Sequence, residues 1–343
     1  MQSFPPCAEL HLHIEGTLEP DLVFELAARN RITLPYADAA DLAARYAFTD
    51  LQSFLDLYYA TMDVLRTEAD FADMTRAYLR RAAAAGVRHA EIMMDPQAHL
   101  IRGIPLATCV NGVASVLATS EAEFGVSTLL IAAFLRDRPA AEALDVLRDL
   151  LAMKAPIVGI GLDSAEVGYP PSLFAEVYDV ARSAGLRCVA HAGEEGPPSY
   201  IREALDVLRA ERIDHGIRCL EDEALVERLV ADRVPLTVCP LSNVRLGAVD
   251  DLPAHPLPVM LARGLNVSVN SDDPAYFGGY LDDNLMAVGE TFGWGAAELA
   301  IVAGNSLRSA FLDDARRSLL LAELGVWASE QERDGVVQHP GTG

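Results

Sequence analysis

Lysine is almost missing from this chain. Lys154 is the single one among 343 residues, and all basic residues together number 27 against 50 acidic ones. The net charge of -23 repels phosphate backbones and anionic lipid headgroups, so neither nucleic acid nor a membrane surface is an expected partner. The acidity reads as a solubility feature. Cysteine is sparse: Cys7, Cys109, Cys188, Cys219 and Cys239 are odd in number and widely spaced, with no C-x-x-C pair to suggest a redox or structural zinc motif. They read as small buried hydrophobes in a reducing compartment. The opening "MQSFPPCAEL" has neither the basic stretch nor the apolar core of a signal peptide, and a cytoplasmic location is expected. The longest uncharged run, "GIPLATCVNGVASVLATS", is broken by Thr, Asn, Ser, Pro and Gly, which predicts a turn and a soluble helix instead of a membrane span.

What is present is a large apolar content, 51% of residues, arranged in a repeating order. Eight short apolar stretches occur at 8–14, 87–94, 126–135, 156–162, 186–192, 212–217, 234–240 and 265–271. Between them lie segments such as "DFADMTRAYLRRAAAAG" and "PPSLFAEVYDVARSAG", with apolar residues at three- and four-residue steps and a terminal Gly, the marks of amphipathic helices. Strand and helix alternate throughout, which predicts parallel βαβ units closed into a (β/α)8 TIM barrel. An open doubly wound sheet is the alternative, disfavoured because no Gly-rich phosphate loop follows the first strand. Residues 1–327 are expected to form one barrel domain. About seventy residues separate the first two strands, more than one crossover helix requires. The surplus, about 20–85, is expected to form a helical lid over the barrel mouth, with Phe48, Phe54, Leu55 and Tyr58 against a flat apolar ligand; ordinary helix packing is the plainer reading of each. The polar tail 328–343 is expected to be poorly ordered.

Residues 9–16 read "ELHLHIEG". In a strand His11 and His13 point to one side, so two imidazoles converge either on a metal or merely on a wet face. Other polar residues stand near strand ends: "HAGEE" after the fifth, "DHG" in the sixth and "NSDDP" after the eighth. In a barrel those ends meet at one mouth, bringing His11, His13, His191, Glu194, His215, Asp272 and Asp273 into one pocket. Three histidines and a carboxylate suit a catalytic zinc with an open position for water, whose pKa falls to about 7. A further histidine can orient that water, and a protonated glutamate can donate to the substrate.

In this order, "ELHLHIEGTLEP", "HAGE", "DHG", "CPLSN" and "NSDDPAYFGGY" resemble the adenosine/adenine deaminase family of the amidohydrolase superfamily, and within it the adenine deaminase subgroup. The resemblance implies one Zn2+ bound by His11, His13, His191 and Asp272, with Glu194 protonating the purine at N1. It also implies that His215 positions the attacking water, that Asp272 accepts its proton and that Asp273 hydrogen-bonds N7. A small purine base is the implied partner, in a purine salvage role; a homo-oligomer is open. Some amidohydrolases hold two metals through a carboxylated lysine ending strand four, but Lys154 precedes that strand, which points to a mononuclear deaminase. Adenosine deaminases usually carry Asp where Glu15 stands, facing the ribose. The longer Glu15 therefore favours free adenine, and Ser164 falls where the base N3 is contacted, although its hydroxyl could equally cap a turn. Gly16 is expected to permit a tight exit from the first strand. Deamination of another 6-aminopurine, or purine binding without turnover, are the alternatives. Hydrolysis of an ester or amide gives no role to Glu194 and Asp273.

Overall fold

Strands buried on both faces read as near-continuous apolar runs, and here those runs form a parallel sheet. A computed structural model describes residues 4–46, 48 and 51–337 of the chain. Its strands are β1 (Cys7–His13), β2 (Val87–Met94), β3 (Ser127–Leu135), β4 (Ile157–Asp163), β5 (Arg187–Ala192), β6 (Arg212–His215), β7 (Pro235–Val238) and β8 (Asn266–Val269). They pair in parallel in sequence order, β1 to β8. Closure falls between β8 and β1, where His13 N donates to Asp272 O at 3.0 Å and Asp272 N to His11 O at 3.1 Å. The expected (β/α)8 TIM barrel is therefore the observed one, and the closing bonds set Asp272 beside both histidines of "HLH".

Inside the barrel Met93, Ile131, Ala133 and Val189 form a small apolar cluster with Val158 and Phe311 packed on it. Close to it, the fully buried Arg212 and Glu91 pair at 2.7 Å, with the guanidinium over the Phe311 ring. Such a pair is tolerated because each charge has a partner.

Between β1 and β2 lie α1 (Pro20–Asn30), α2 (Ala39–Ala44), α3 (Leu51–Thr61) and α4 (Glu68–Ala84). α1 begins on Pro20, whose missing N–H costs nothing in a first turn. α4 begins with a capping box: Asp70 N donates to Thr67 Oγ1 at 3.4 Å and Thr67 N to Asp70 Oδ2 at 2.8 Å. A short helix, α5 (Pro96–Ile101), follows β2. The tail departs from expectation. One helix runs Asp314–Val337, so 328–337 is helical and only 338–343 lies outside the described residues. The helix is nucleated upstream, where Leu320, Leu324 and Trp327 are buried, and no proline occurs before Pro340 to stop its propagation into the polar segment.

Candidate active site

The C-terminal ends of the strands enclose a cavity of about 450 Å³. It is lined by His13, Phe54, Leu55, Tyr58, Tyr59, Asp95, Leu135, Asp163, Ser164, His191, Glu194, His215, Leu246, Asp272, Asp273 and Phe277. His11 adjoins from beneath this surface, its ring centroid 4.5 Å from that of His191 and 4.6 Å from that of His215. Three residues at these strand ends hold left-handed backbone: Ser164 (φ 70°), His215 (φ 63°) and Asp272 (φ 64°). For non-glycine residues that conformation is strained, and a rigid scaffold must impose it.

His11, His13, His191 and Asp272 bring one donor atom each to within 4.8 Å of one another, all buried. His11 Nε2 lies 3.4 Å from Asp272 Oδ1, His13 Nε2 lies 3.7 Å from the same oxygen, and His13 Nε2 lies 3.2 Å from His191 Nε2. The far edges of the rings are occupied. His11 Nδ1 faces Thr237 O at 3.3 Å, and His191 Nδ1 faces Asp214 Oδ2 at 3.5 Å. Asp214 in turn accepts from Thr237 Oγ1 at 2.7 Å. These contacts put the protons on Nδ1 and leave the Nε2 lone pairs facing inward. Burial, with His11 nearby, pushes the His191 imidazole down to about 4, so it is neutral, the form that binds a metal. His11 Nε2 is buried with no hydrogen-bond partner among the described residues. An unpaired nitrogen aimed into three other donors is what a metal centre requires, and the residues fit one.

Beside this set stand Glu194 and His215, with His215 Nε2 3.4 Å from Glu194 Oε2 and 3.8 Å from Asp272 Oδ2. Asn243 Nδ2 donates to Glu194 Oε1 at 2.9 Å and lies 3.2 Å from His215 Nδ1, while Ser242 Oγ donates to Asp272 Oδ2 at 2.6 Å. The motif "CPLSN" thus acts by holding the neighbouring groups. The loop bearing Glu194 is fixed by Glu166, whose carboxylate accepts from the backbone N–H of Gly193, Glu194, Glu195 and Gly196 at 2.6, 3.0, 2.9 and 2.8 Å.

The environments separate the carboxyls. Burial, then Asp272, raises Glu194 well above its ordinary value, and burial, then Asp272, does the same to Asp273. Burial alone would raise Asp272 too, but His11, His215 and His13 hold it well below the usual range. Burial and His11 push His215 well down. The lining carboxyls Asp95 and Asp163 are raised as well, Asp95 by burial and then Glu15, Asp163 by burial and then Asp95. Asp272 is therefore the one carboxyl of the lining held low, beside the raised acids and the lowered imidazoles of His191 and His215, an arrangement that separates acid from base roles.

Each ligand and acid expected from sequence is brought to this mouth. Phe54, Leu55 and Tyr58 of α3 line it, with Phe54 4.6 Å from Phe277 between ring centroids; Phe48 packs on the same aromatic group without lining the cavity. Ser164 lines it, its Oγ beside the Tyr59 phenol without an aligned hydrogen bond. Glu15 is not placed as expected. It is fully buried and absent from the lining, because its Oε1 is held by His99 Nε2 at 2.6 Å and Asp95 N at 3.2 Å. Gly16 also differs in reason: its φ is ordinary, but a Cβ there would sit 2.1 Å from Asp273 Oδ1. Asp95, Asp163, Asp214, Asn243 and Glu166 were not singled out by sequence. Asp163 ends β4 and Asp95 directly follows β2, but each stands in a dipeptide of turn composition, "DS" and "DP".

The pattern of the adenosine deaminase family matches residues 6–327. The chain belongs to that family. An adenine deaminase of Streptomyces coelicolor is 60% identical over 321 residues, 93% of this chain and 94% of that one. Among solved structures, an adenine deaminase from Arthrobacter aurescens is 69% identical with a TM-score of 0.94, covering 95% of this chain and 99% of its own. An amidohydrolase from Burkholderia ambifaria with bound zinc is 28% identical with a TM-score of 0.88, covering 96% and 92%. Within the family, the lysine-bridged arrangement has no counterpart here: Lys154 is exposed and precedes β4, at the opposite end of the barrel.

Proposed function

We propose that this chain hydrolyses adenine to hypoxanthine and ammonia, using one zinc ion held by His11, His13, His191 and Asp272. The observation that carries the reading is a glutamic acid kept neutral by burial, Glu194, set beside four converging metal donors in a chain 69% identical to a solved adenine deaminase. The zinc-bound amidohydrolase of the same fold supports the choice of metal. A zinc ion there supplies Lewis acidity, lowering the pKa of a water to about 7.

The protein's own groups then act on the purine. Glu194 protonates N1 and so relieves the electron-rich ring at C6. His215, whose Nδ1 is turned to Asn243, uses Nε2 to hold the attacking water. Asp272, the one carboxyl of the lining kept ionised, takes that water's proton and delivers it to the departing amine. As C6 becomes a carbonyl, the remaining hydroxyl proton restores the Glu194 acid. Asp273, protonated, donates to N7. Ser164 offers its hydroxyl to N3. The segment α1–α4 serves as a lid whose Phe54 and Tyr58 cover the flat face of the base and exclude bulk water.

Ammonia release measured across adenine, adenosine and N6-substituted adenines tests the assignment. Adenine is expected to turn over far faster than adenosine; comparable rates would overturn the choice of base while leaving the acid and base roles standing.

A further inference from the structure

Deamination at C6 leaves two buried carboxyls in the cavity without a task. Asp95 follows β2 and Asp163 ends β4, each only 3% exposed. Asp163 accepts an aligned hydrogen bond on neither oxygen, and Asp95 accepts none on Oδ1. Their shared neighbour is His13 Nδ1, 3.4 Å from Asp95 Oδ1 and 3.5 Å from Asp163 Oδ2. This is the opposite edge of the ring from Nε2, which faces His191 and Asp272. The Nδ1 edge has at most one N–H to give and the two carboxyls also meet each other, which together still leave oxygens of the pair without an aligned hydrogen bond where they line the cavity. Buried acceptors left unpaired are costly and native proteins rarely keep them without a partner. The cavity itself is where that partner must come from.

A purine placed with C6 at the metal donors and N1 at Glu194 turns its N3 and N9 edge to the far side of the cavity. In a free base whose N7 accepts from Asp273, N9 carries the hydrogen; in a nucleoside N9 carries carbon. We propose that Asp95 and Asp163 accept the N9–H of the base and thereby select 6-aminopurines unsubstituted at N9. The inference rests on the proposed deaminase reading and adds to it the residues that choose base over nucleoside. A substituent on N9 removes the hydrogen that the pair would accept and occupies the space beside it, a double penalty of the kind that gives strong discrimination. Glu15 is then a positioning residue. It holds Asp95 N and is itself fixed by His99, whose Nδ1 meets Arg102 at 2.6 Å.

The test compares adenine with 9-methyladenine on the zinc-loaded protein and on its Asp163→Asn, Asp163→Ala and Asp95→Ala/Asp163→Ala variants. The readout is the ratio of kcat/KM values for the two substrates, in which partial loss of metal or folded protein cancels. The wild type is expected to favour adenine strongly. The double variant should compress the ratio by about a hundredfold and D163N, which keeps the volume, by about tenfold. If a variant has no measurable turnover, the ratio of Kd values for hypoxanthine and 9-methylhypoxanthine decides by the same margins. A ratio that stays within about threefold of wild type in D163N and in the double variant means the pair only orients His13, and overturns this inference alone. Equal turnover of adenine and adenosine by the wild type would overturn the base assignment and this inference with it.

Discussion

Replacing Glu194 by Gln isolates the proton. The amide keeps the volume, so the cavity does not change shape, and its oxygen still accepts from Asn243, which bonds Glu194 Oε1 at 2.9 Å. What is lost is the transferable proton, since an amide can donate a hydrogen bond to N1 but cannot protonate it. General acid catalysis contributes about 10²–10⁴ in rate, which is about 2.7–5.4 kcal/mol at about 1.36 kcal/mol per tenfold. Glu194→Gln should therefore lower kcat for adenine by that factor, with KM and zinc content close to wild type. The pH profile gives a second handle. Burial and then Asp272 raise the Glu194 carboxyl, so the working protonated form is present below its folded pKa and is lost as pH rises through it. That alkaline fall should be absent in E194Q. Ammonia release by steady-state kinetics from acid to alkaline pH makes the measurement. A kcat loss under tenfold, or an unchanged alkaline limb, would refute the role of Glu194 as the acid.

Gly16→Ala should cost at least about tenfold in kcat/KM with the barrel still folded, because the added methyl meets Asp273 Oδ1 at 2.1 Å and its Cα at 2.5 Å; unaltered kinetics with normal circular dichroism would contradict the tight approach. Asp214→Asn should weaken zinc binding by about 10- to 100-fold, read by competition with a chromophoric chelator, since it removes the partner of His191 Nδ1. Glu91→Ala should lower stability to urea by about 3 kcal/mol, because it removes the 2.7 Å partner of the Arg212 guanidinium and leaves only the longer 3.7 Å approach to Asp214, whereas replacing both residues by apolar ones should recover most of the loss. Burial opposes the Glu91 charge but Arg212 beside it wins, holding the carboxyl below its ordinary value. Its stabilisation is thus complete above the unfolded value of about 4.3 and is lost as pH falls through the lower folded value, a dependence that acid titration of E91A should no longer show.

Histidines and acids in otherwise apolar strands were legible because a parallel barrel strand has no ordinary use for them. His11, His13, His191, His215 and Asp272 follow from that contrast together with the strand count. Asp95 and Asp163 were not found because "DP" and "DS" have turn composition, and only the three-dimensional mouth shows both facing His13. Glu166 could not be read at all: it works through the backbone N–H groups of a loop 27 to 30 positions along. Glu15 was noticed for the right neighbourhood and the wrong contact. Its length suggests reach into the cavity, but His99 on α5 draws the carboxylate away. The polar tail misled because composition reports burial, and a helix already propagating needs only the absence of a stop; Ser329 Oγ donates to Gly325 O at 2.9 Å along that extension.

One metal, held by three histidines and Asp272, is expected to support turnover. Its most direct measurement is a titration: the protein is stripped by a chelator, zinc is returned in known amounts, and both bound zinc and ammonia release from adenine are followed. Activity is predicted to rise linearly and to level at one zinc per chain. Full activity in the stripped protein, or a requirement for two ions per chain, would contradict a single-metal site.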